Sequence, residues 1–119
     1  MAPVPGDLFE GHPDGLAVYE AVAEAVAGIG AAEVRTTKSQ IAFRRRRGFA
    51  YVWRPGRYID SEVPAVLSIA LPARLDSDRF KEVVHTAPKG WMHHLEVEDP
   101  DAIDAEVRTW LEAAYRAAA

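Results

Sequence analysis

Helical periodicity near both ends of the chain, with short apolar runs between turn signals in the middle, predicts an α+β fold. Its expected form is an antiparallel β-sheet of about five or six strands, with an N-terminal and a C-terminal helix packed on it. The 119 residues suit one domain, residues 1–119, of which residues 1–11 read as an irregular N-terminal arm.

Pro3, Pro5 and Gly6 break up that arm, and Phe9 is its expected anchor on the core. Asp14 is placed to cap a helix running to Ile29, with Leu16, Tyr19, Ala23 and Val26 on one stripe and Val22 beside it. Gly28 and Gly30 end it. Residues 32–37 read as a strand, which Lys38, Ser39 and Gln40 join to a central hairpin or extend into it. Residues 57–64 read as a loop, with Tyr58 and Ile59 expected to fold back on the core. Residues 65–71 alternate as a strand that turns Leu67, Ile69 and Leu71 inward, and Pro72 ends it. Residues 80–85 fit either a short helix capped by Ser77 or a strand. The turn signal Ala87-Pro88-Lys89-Gly90 favours the strand, paired with residues 91–97. On that partner strand Trp91, His93, Leu95 and Val97 share one face, and Met92, His94 and Glu96 the other. Asp99-Pro100 is an N-cap followed by proline at the first helical position. Ile103, Val107, Trp110, Leu111, Ala114 and Tyr115 then recur at helical spacing, and Arg108 with Glu112 forms an i,i+4 pair.

The central hairpin carries the unusual chemistry. Ile41 to Arg45 and Phe49 to Trp53 are apolar, aromatic-rich runs around four arginines and Gly48. A three-residue loop, Arg46-Arg47-Gly48 with Gly48 left-handed, pairs Phe43 with Tyr51 and Ile41 with Trp53 on one core face. Ala42, Arg44, Ala50, Val52 and Arg54 then share the other. A two-residue loop at Arg47-Gly48 shifts the register and sets Arg44 and Arg46 beside Phe49, Tyr51 and Trp53, where Tyr51 and Trp53 become a base-stacking platform. The three-residue loop is the expected one, because it gathers the aromatics into the core, with Trp91 and Trp110 there as well. Eight of the 14 basic residues and none of the 18 acidic ones lie between Arg35 and Arg57, so the rest of the chain carries six basic against 18 acidic residues. A basic patch on a protein of net charge −4 can hold an anion locally, or can be a solvated turn that discourages edge-to-edge aggregation.

Composition excludes several classes. With no cysteine, disulfides, thiol catalysis and cysteine-bound metals are out. No apolar run reaches the length of a membrane span and no signal-peptide pattern opens the chain, so a cytoplasmic protein with no membrane partner is expected. Eleven arginines against three lysines, with abundant alanine, suit a GC-rich bacterial gene. Phosphate-loop and dinucleotide fingerprints are missing, and no serine sits in a nucleophile-elbow motif. No cofactor and no catalytic residue are assigned. His85, His94 and Glu96 are the weak metal candidates: a four-residue loop at 87–90 would bring His85 and His94 to one face at diagonal positions. Otherwise His93 reads as a core-edge histidine bonded to backbone and His94 as an exposed one. Thr37, Lys38, Ser39 and Gln40 are good hydrogen-bonders that can satisfy a turn or, through Lys38, meet a phosphate or carboxylate.

Thr37-Lys38-Ser39-Gln40-Ile41-Ala42-Phe43 leading to Gly48-Phe49-Ala50, Trp91-Met92-His93-His94-Leu95, and Asp104-Ala105-Glu106 through Trp110-Leu111 to Ala114-Tyr115 resemble the family called Domain of Unknown Function 5655. The resemblance runs from about Phe9 onward. It implies a small α+β domain of bacteria or archaea, found alone or joined to other domains, with no established activity and so no catalytic residues to carry over.

Three function classes follow. The first is a non-enzymatic binding module that uses Lys38, Arg44, Arg46, Arg47, Arg54 and Arg57 for an anionic partner, with nucleic acid as one such partner. The second is an interaction or homodimerisation domain using Ala42, Ala50 and Val52. The third is an enzyme built on His85, His93 or His94 with Glu96. The sequence favours them in that order.

Overall fold

The computed structural model describes residues 4–57 and 61–119, with the backbone alone at Arg57. The expected location of Tyr58 and Ile59 therefore lies outside the described residues. The chain is α+β: one six-stranded antiparallel sheet with helices on a single face. Among the described residues no helix is long and apolar enough to cross a membrane.

The arm is more ordered than its prolines and glycine suggest. It contains a four-residue helix, α1 (Pro5–Leu8), whose Asp7 carboxylate accepts the Val4 N–H at 3.0 Å, and Leu8 and Phe9 are both buried. Helix α2 (Pro13–Ile29) starts one residue before the expected cap, with proline in its first turn. Its buried residues are Gly15, Val18, Val22, Ala25 and Val26, so the inward stripe is rotated from the expected one, and Leu16, Tyr19 and Ala23 flank it. Gly15 explains the rotation. A Cβ there would lie 2.8 Å from the Pro64 carbonyl and run into the Phe9 ring, so only glycine lets the helix lie flush on those segments.

Strands β1 (Glu33–Thr36), β2 (Ile41–Arg44), β3 (Gly48–Trp53), β4 (Ala65–Leu71), β5 (Glu82–Ala87) and β6 (Gly90–Val97) lie in the order β1-β2-β3-β4-β6-β5. The β5–β6 hairpin forms as the turn signal predicts, and β4 has the expected limits. At the C-terminal end the single expected helix is two. A short 3-10 turn at Pro100–Ala102 is capped by Asp99, and α3 (Ala105–Ala117) is capped afresh by Asp104, whose carboxylate accepts the Val107 N–H at 3.1 Å. Ile103 between them is buried, and the break is what turns it into the core. Glu112 pairs with Arg116 at 2.6 Å rather than with Arg108, which is the favoured order of acid before base along a helix.

The central hairpin departs most from expectation. Ile41 faces Val52, Ala42 faces Tyr51 and Phe43 faces Ala50, with a bulge between Phe43 and Arg44 that sets Arg44 opposite Gly48. Gly48 is not in the left-handed region; among the described residues Gly11, with φ 78°, is the one that is. Because one step of register swaps every side chain between faces, Ile41, Phe43, Ala50 and Val52 lie under the helices, while Ala42, Tyr51 and Trp53 point away from them. The bulge lets Phe49 also reach the core, edge-on to Tyr115 of α3 with ring centroids 5.6 Å apart. Ala50 and Val52 are fully buried on the helix side, so the small-residue face proposed for dimerisation with Ala42 does not exist. The core is completed by Leu67, Ile69, Leu95, Val97, Val107 and Leu111, all on the helix side of the sheet.

Candidate functional site on the open sheet face

The face without helices is built by strand alternation. Cross-strand pairing aligns Arg35, Ala42, Tyr51, Ser68, His94 and Glu82 in one row, and Trp53, Val66 and Glu96 in the next. Tyr51, Trp53, Ser68, Met92 and His94, with Ser39 and Gln40 at the rim, line a groove of about 440 Å³. That volume falls within the range of small-ligand sites. A second cleft of about 190 Å³ shares Trp53 and His94 and adds Pro55, Val66, Lys81, Glu82 and Glu96.

A chain of hydrogen bonds holds the groove's walls. The Trp53 indole N–H donates to Ser68 Oγ at 2.9 Å, and Ser68 Oγ lies 2.7 Å from His94 Nδ1. Trp53 meets His94 edge-on at 6.2 Å. Ser68 is 2% exposed and engaged on both sides, which suits holding two rings in place better than attacking a substrate. Burial pushes the His94 pKa below the ordinary 6.5; Glu82, directly across the strand pair, pulls it part of the way back, and His93 adds slightly to the lowering. His94 is thus a half-buried, oriented ring and not the exposed one expected.

Tyr51 is positioned by Gly48. The tyrosine hydroxyl lies over that glycine where a Cβ would stand, which is the physical reason for glycine there instead of a left-handed turn. The polar run at 37–40 forms a turn in which Thr37 Oγ1 accepts the N–H groups of Ser39 and Gln40, each at 3.2 Å. The same turn presents Ser39 and Gln40 to the groove and leaves Lys38 exposed beside it.

The six cations named from sequence fall into two groups. Arg44, Arg46 and Arg47 stand at the tip of the β2–β3 hairpin. Lys38 and Arg54 stand at its other end, roughly 16 Å away along the strands; the Arg57 side chain is not described. At the tip, Arg47 donates to the Ala117 carbonyl at 2.8 Å and the Arg46 backbone N–H to that of Ala118 at 3.0 Å. Arg45 donates to the Tyr115 carbonyl at 3.1 Å and covers the Tyr115 ring at 3.9 Å. The tip therefore clasps the C-terminus of α3, where cations suit the helix dipole. Sequence reading offered ligand or solvent for these arginines and missed this third use. Arg44, Arg46 and Lys38 make no side-chain hydrogen bond or ion pair among the described residues, whereas Arg35 is paired with Glu33 at 2.9 Å. The Nε of Arg54 is buried with no partner among them.

The histidines do not converge. In the observed register His85 faces Trp91 and stacks on it at 3.9 Å, so it lies on the opposite side of the sheet from His94. The diagonal pairing expected from a four-residue loop fails because Ala87 pairs with Gly90 and a bulge follows His85. His93 points into the core with both nitrogens on backbone: Nε2 accepts the Leu75 N–H at 3.0 Å and Nδ1 lies 3.1 Å from the Trp91 carbonyl. Among the described residues no three histidine or acidic side chains are grouped to hold a metal ion. One polar hub went unnoticed in sequence. Arg79 bonds both Asp104 oxygens at 3.1 Å, Glu106 at 2.8 Å and the Ala102 carbonyl at 3.1 Å, tying the β4–β5 connection to the start of α3.

The family model described as "Domain of unknown function (DUF5655)" matches residues 6–118. The chain belongs to this family. The match spans every element around the groove, so the open face is part of the DUF5655 domain itself. No curated protein and no solved structure matches the chain.

Proposed function

We propose that this DUF5655 domain is a non-enzymatic, cytoplasmic binding module whose open sheet face takes single-stranded nucleic acid. The observation that carries the reading is the pair of aromatic rings, Tyr51 and Trp53, two residues apart on one strand and both lining the groove on the face that α2 and α3 leave open. Stacking on such rings is available to every base and is worth about 1–3 kcal/mol per base. Lys38 at one end of the hairpin, and Arg44 and Arg46 at the other, lack ion pairs among the described residues and suit a phosphate backbone crossing the groove. Duplex is disfavoured by the same geometry, since its bases offer no free ring face.

Fluorescence anisotropy with labelled single- and double-stranded DNA and RNA, at several salt concentrations, tests this. Single strands bind, duplexes do not, and affinity falls with salt. Tyr51→Ala weakens binding by about 1–3 kcal/mol. The Arg44→Ala/Arg46→Ala pair lowers the slope of log affinity against log salt by about 1.4, at roughly 0.7 per phosphate contact on single strands. Absence of binding at low salt, or equal binding by both variants, would overturn the proposal.

A further inference from the structure

We infer that Glu82 and His94 read the edge of one unpaired guanine base seated beside Trp53. This deepens the single-strand reading and rests on it for the groove, but not for the chemistry of the pair.

The relay behind His94 fixes which nitrogen carries the proton. An indole N–H can only donate, so Ser68 Oγ accepts from Trp53 at 2.9 Å. The buried Ser68 hydroxyl must then place its own proton, and His94 Nδ1 at 2.7 Å is the acceptor in reach. Nδ1 is thereby the unprotonated nitrogen, and Nε2 carries N–H. Nε2 has no hydrogen-bond partner among the described residues. Burial disfavours the charged ring, which keeps this tautomer at neutral pH.

Glu82 is paired directly opposite His94 across β5 and β6 and is exposed on the same face. It has no hydrogen bond or ion pair among the described residues, whereas Glu96 is spent on Lys81 at 3.2 Å. An ionised carboxylate offers two acceptors side by side. The face therefore presents one fixed donor next to a two-oxygen acceptor. Guanine matches that pattern along its Watson–Crick edge: O6 accepts, and N1–H and the N2 amine donate in succession. Uracil offers one donor on that edge, N3–H between two acceptors, and adenine offers its N6 amine beside the N1 acceptor, so each leaves one carboxylate oxygen unmet. The 190 Å³ cleft holding Glu82 and His94 is smaller than a whole-ligand site and opens beside the larger groove, sharing Trp53 and His94 with it. That suits the edge of a ring whose face rests in the groove.

The full chain is titrated calorimetrically with GMP, IMP, AMP, CMP, UMP and ribose 5-phosphate. It is also titrated with single-stranded oligonucleotides that contain or lack guanine. GMP binds about 5- to 150-fold more tightly than AMP or UMP, the discrimination one good bidentate contact gives. IMP, lacking the N2 amine, falls between. Glu82→Gln erases the GMP preference while far-UV circular dichroism and the urea unfolding midpoint stay as in the wild type. If GMP binds no better than AMP while oligonucleotides bind regardless of guanine, the inference falls and the strand-binding reading stands. A GMP preference with no oligonucleotide binding keeps the inference and overturns strand binding in favour of a free nucleotide. A preference untouched by Glu82→Gln overturns the inference, and absence of all binding overturns both.

Discussion

His94 shows how two neighbours set the behaviour of one ring. Its pKa lies below the ordinary 6.5, first because burial strips water from the charged form. In the unfolded chain the ring takes its proton near 6.5, so between that value and the lower folded one the unfolded state binds more protons. The contribution of His94 to stability is therefore complete above pH 6.5 and is lost as pH falls through the folded value. Urea unfolding between pH 5 and 7.5 is expected to show this slope, and His94→Gln to flatten it; an unchanged slope in the variant would assign it elsewhere. Asp104 works in a separate window. The Val107 N–H, then the bond from Arg79, hold its carboxylate below the usual 3.8, so its contribution persists until more acid conditions. Gly48 makes a second residue-scale case. Its backbone is unstrained for other residues, so Gly48→Ala acts through collision with the Tyr51 ring. The variant is expected to lose about 1–3 kcal/mol, the usual cost of overpacking. It should also shift the Tyr51 ring signals in NMR spectra, which separates displacement of the ring from a general loss of stability.

Among the elements, the β2–β3 hairpin and α3 must be considered together. Arg47→Ala removes a bond to the Ala117 carbonyl and is expected to cost about 0.5–1.5 kcal/mol. Arg44→Ala and Arg46→Ala, which remove no side-chain bond among the described residues, should stay within about 0.5 kcal/mol of the parent in chemical denaturation. A comparable loss in all three would mean that the clasp is not what distinguishes Arg47. The distinction matters for binding work, because a variant lacking Arg47 mixes weakened folding with weakened recognition. The same clasp explains what the sequence could and could not reveal here. The limits of β4, the facing of β6 and the β5–β6 turn were legible because each rests on local alternation or on proline and glycine signals. The register of the β2–β3 hairpin was not, since its tip is closed by contacts 70 residues away along the chain. A glycine after four arginines reads locally as a left-handed turn, and nothing local says that a tyrosine three residues on will cover it. Of the candidate site, the cations were visible as composition. Tyr51 and Trp53 were recognised as a stacking pair only on condition of a two-residue loop at Arg47-Gly48, which does not form either, because Arg44 faces Gly48 and the loop is Arg45-Arg46-Arg47. Ser68, buried on the open face, and Glu82, paired with His94, carried no signal until β4, β5 and β6 were in register.

For the molecule as a whole, the decisive feature is a sheet that packs α2 and α3 on the same face. β4 lies in the middle, bonded to β3 and β6 and almost wholly buried, while β1 and β5 are edges with mostly exposed residues. Leu67→Ala on β4 is expected to cost about 2–5 kcal/mol, since nothing nearby can collapse into the gap without moving two helices. Met92→Ala on the open face removes a side chain that already borders a groove and should cost markedly less. Local opening follows the same gradient, because edge strands can detach without exposing the core. Native-state hydrogen exchange is therefore expected to find the slowest amides on β4 and its bonded neighbours in β3 and β6, and the fastest strand amides on β1 and β5. A ligand bound on the open face contacts β3, β4 and β6 through Tyr51, Trp53, Ser68 and His94, and reaches β5 through Glu82. Saturating GMP should then slow exchange in β5 more than in β1, because only β5 supplies a residue to the base-reading pair. Equal slowing of both edges would show that the ligand tightens the whole sheet and does not bridge Glu82 to His94.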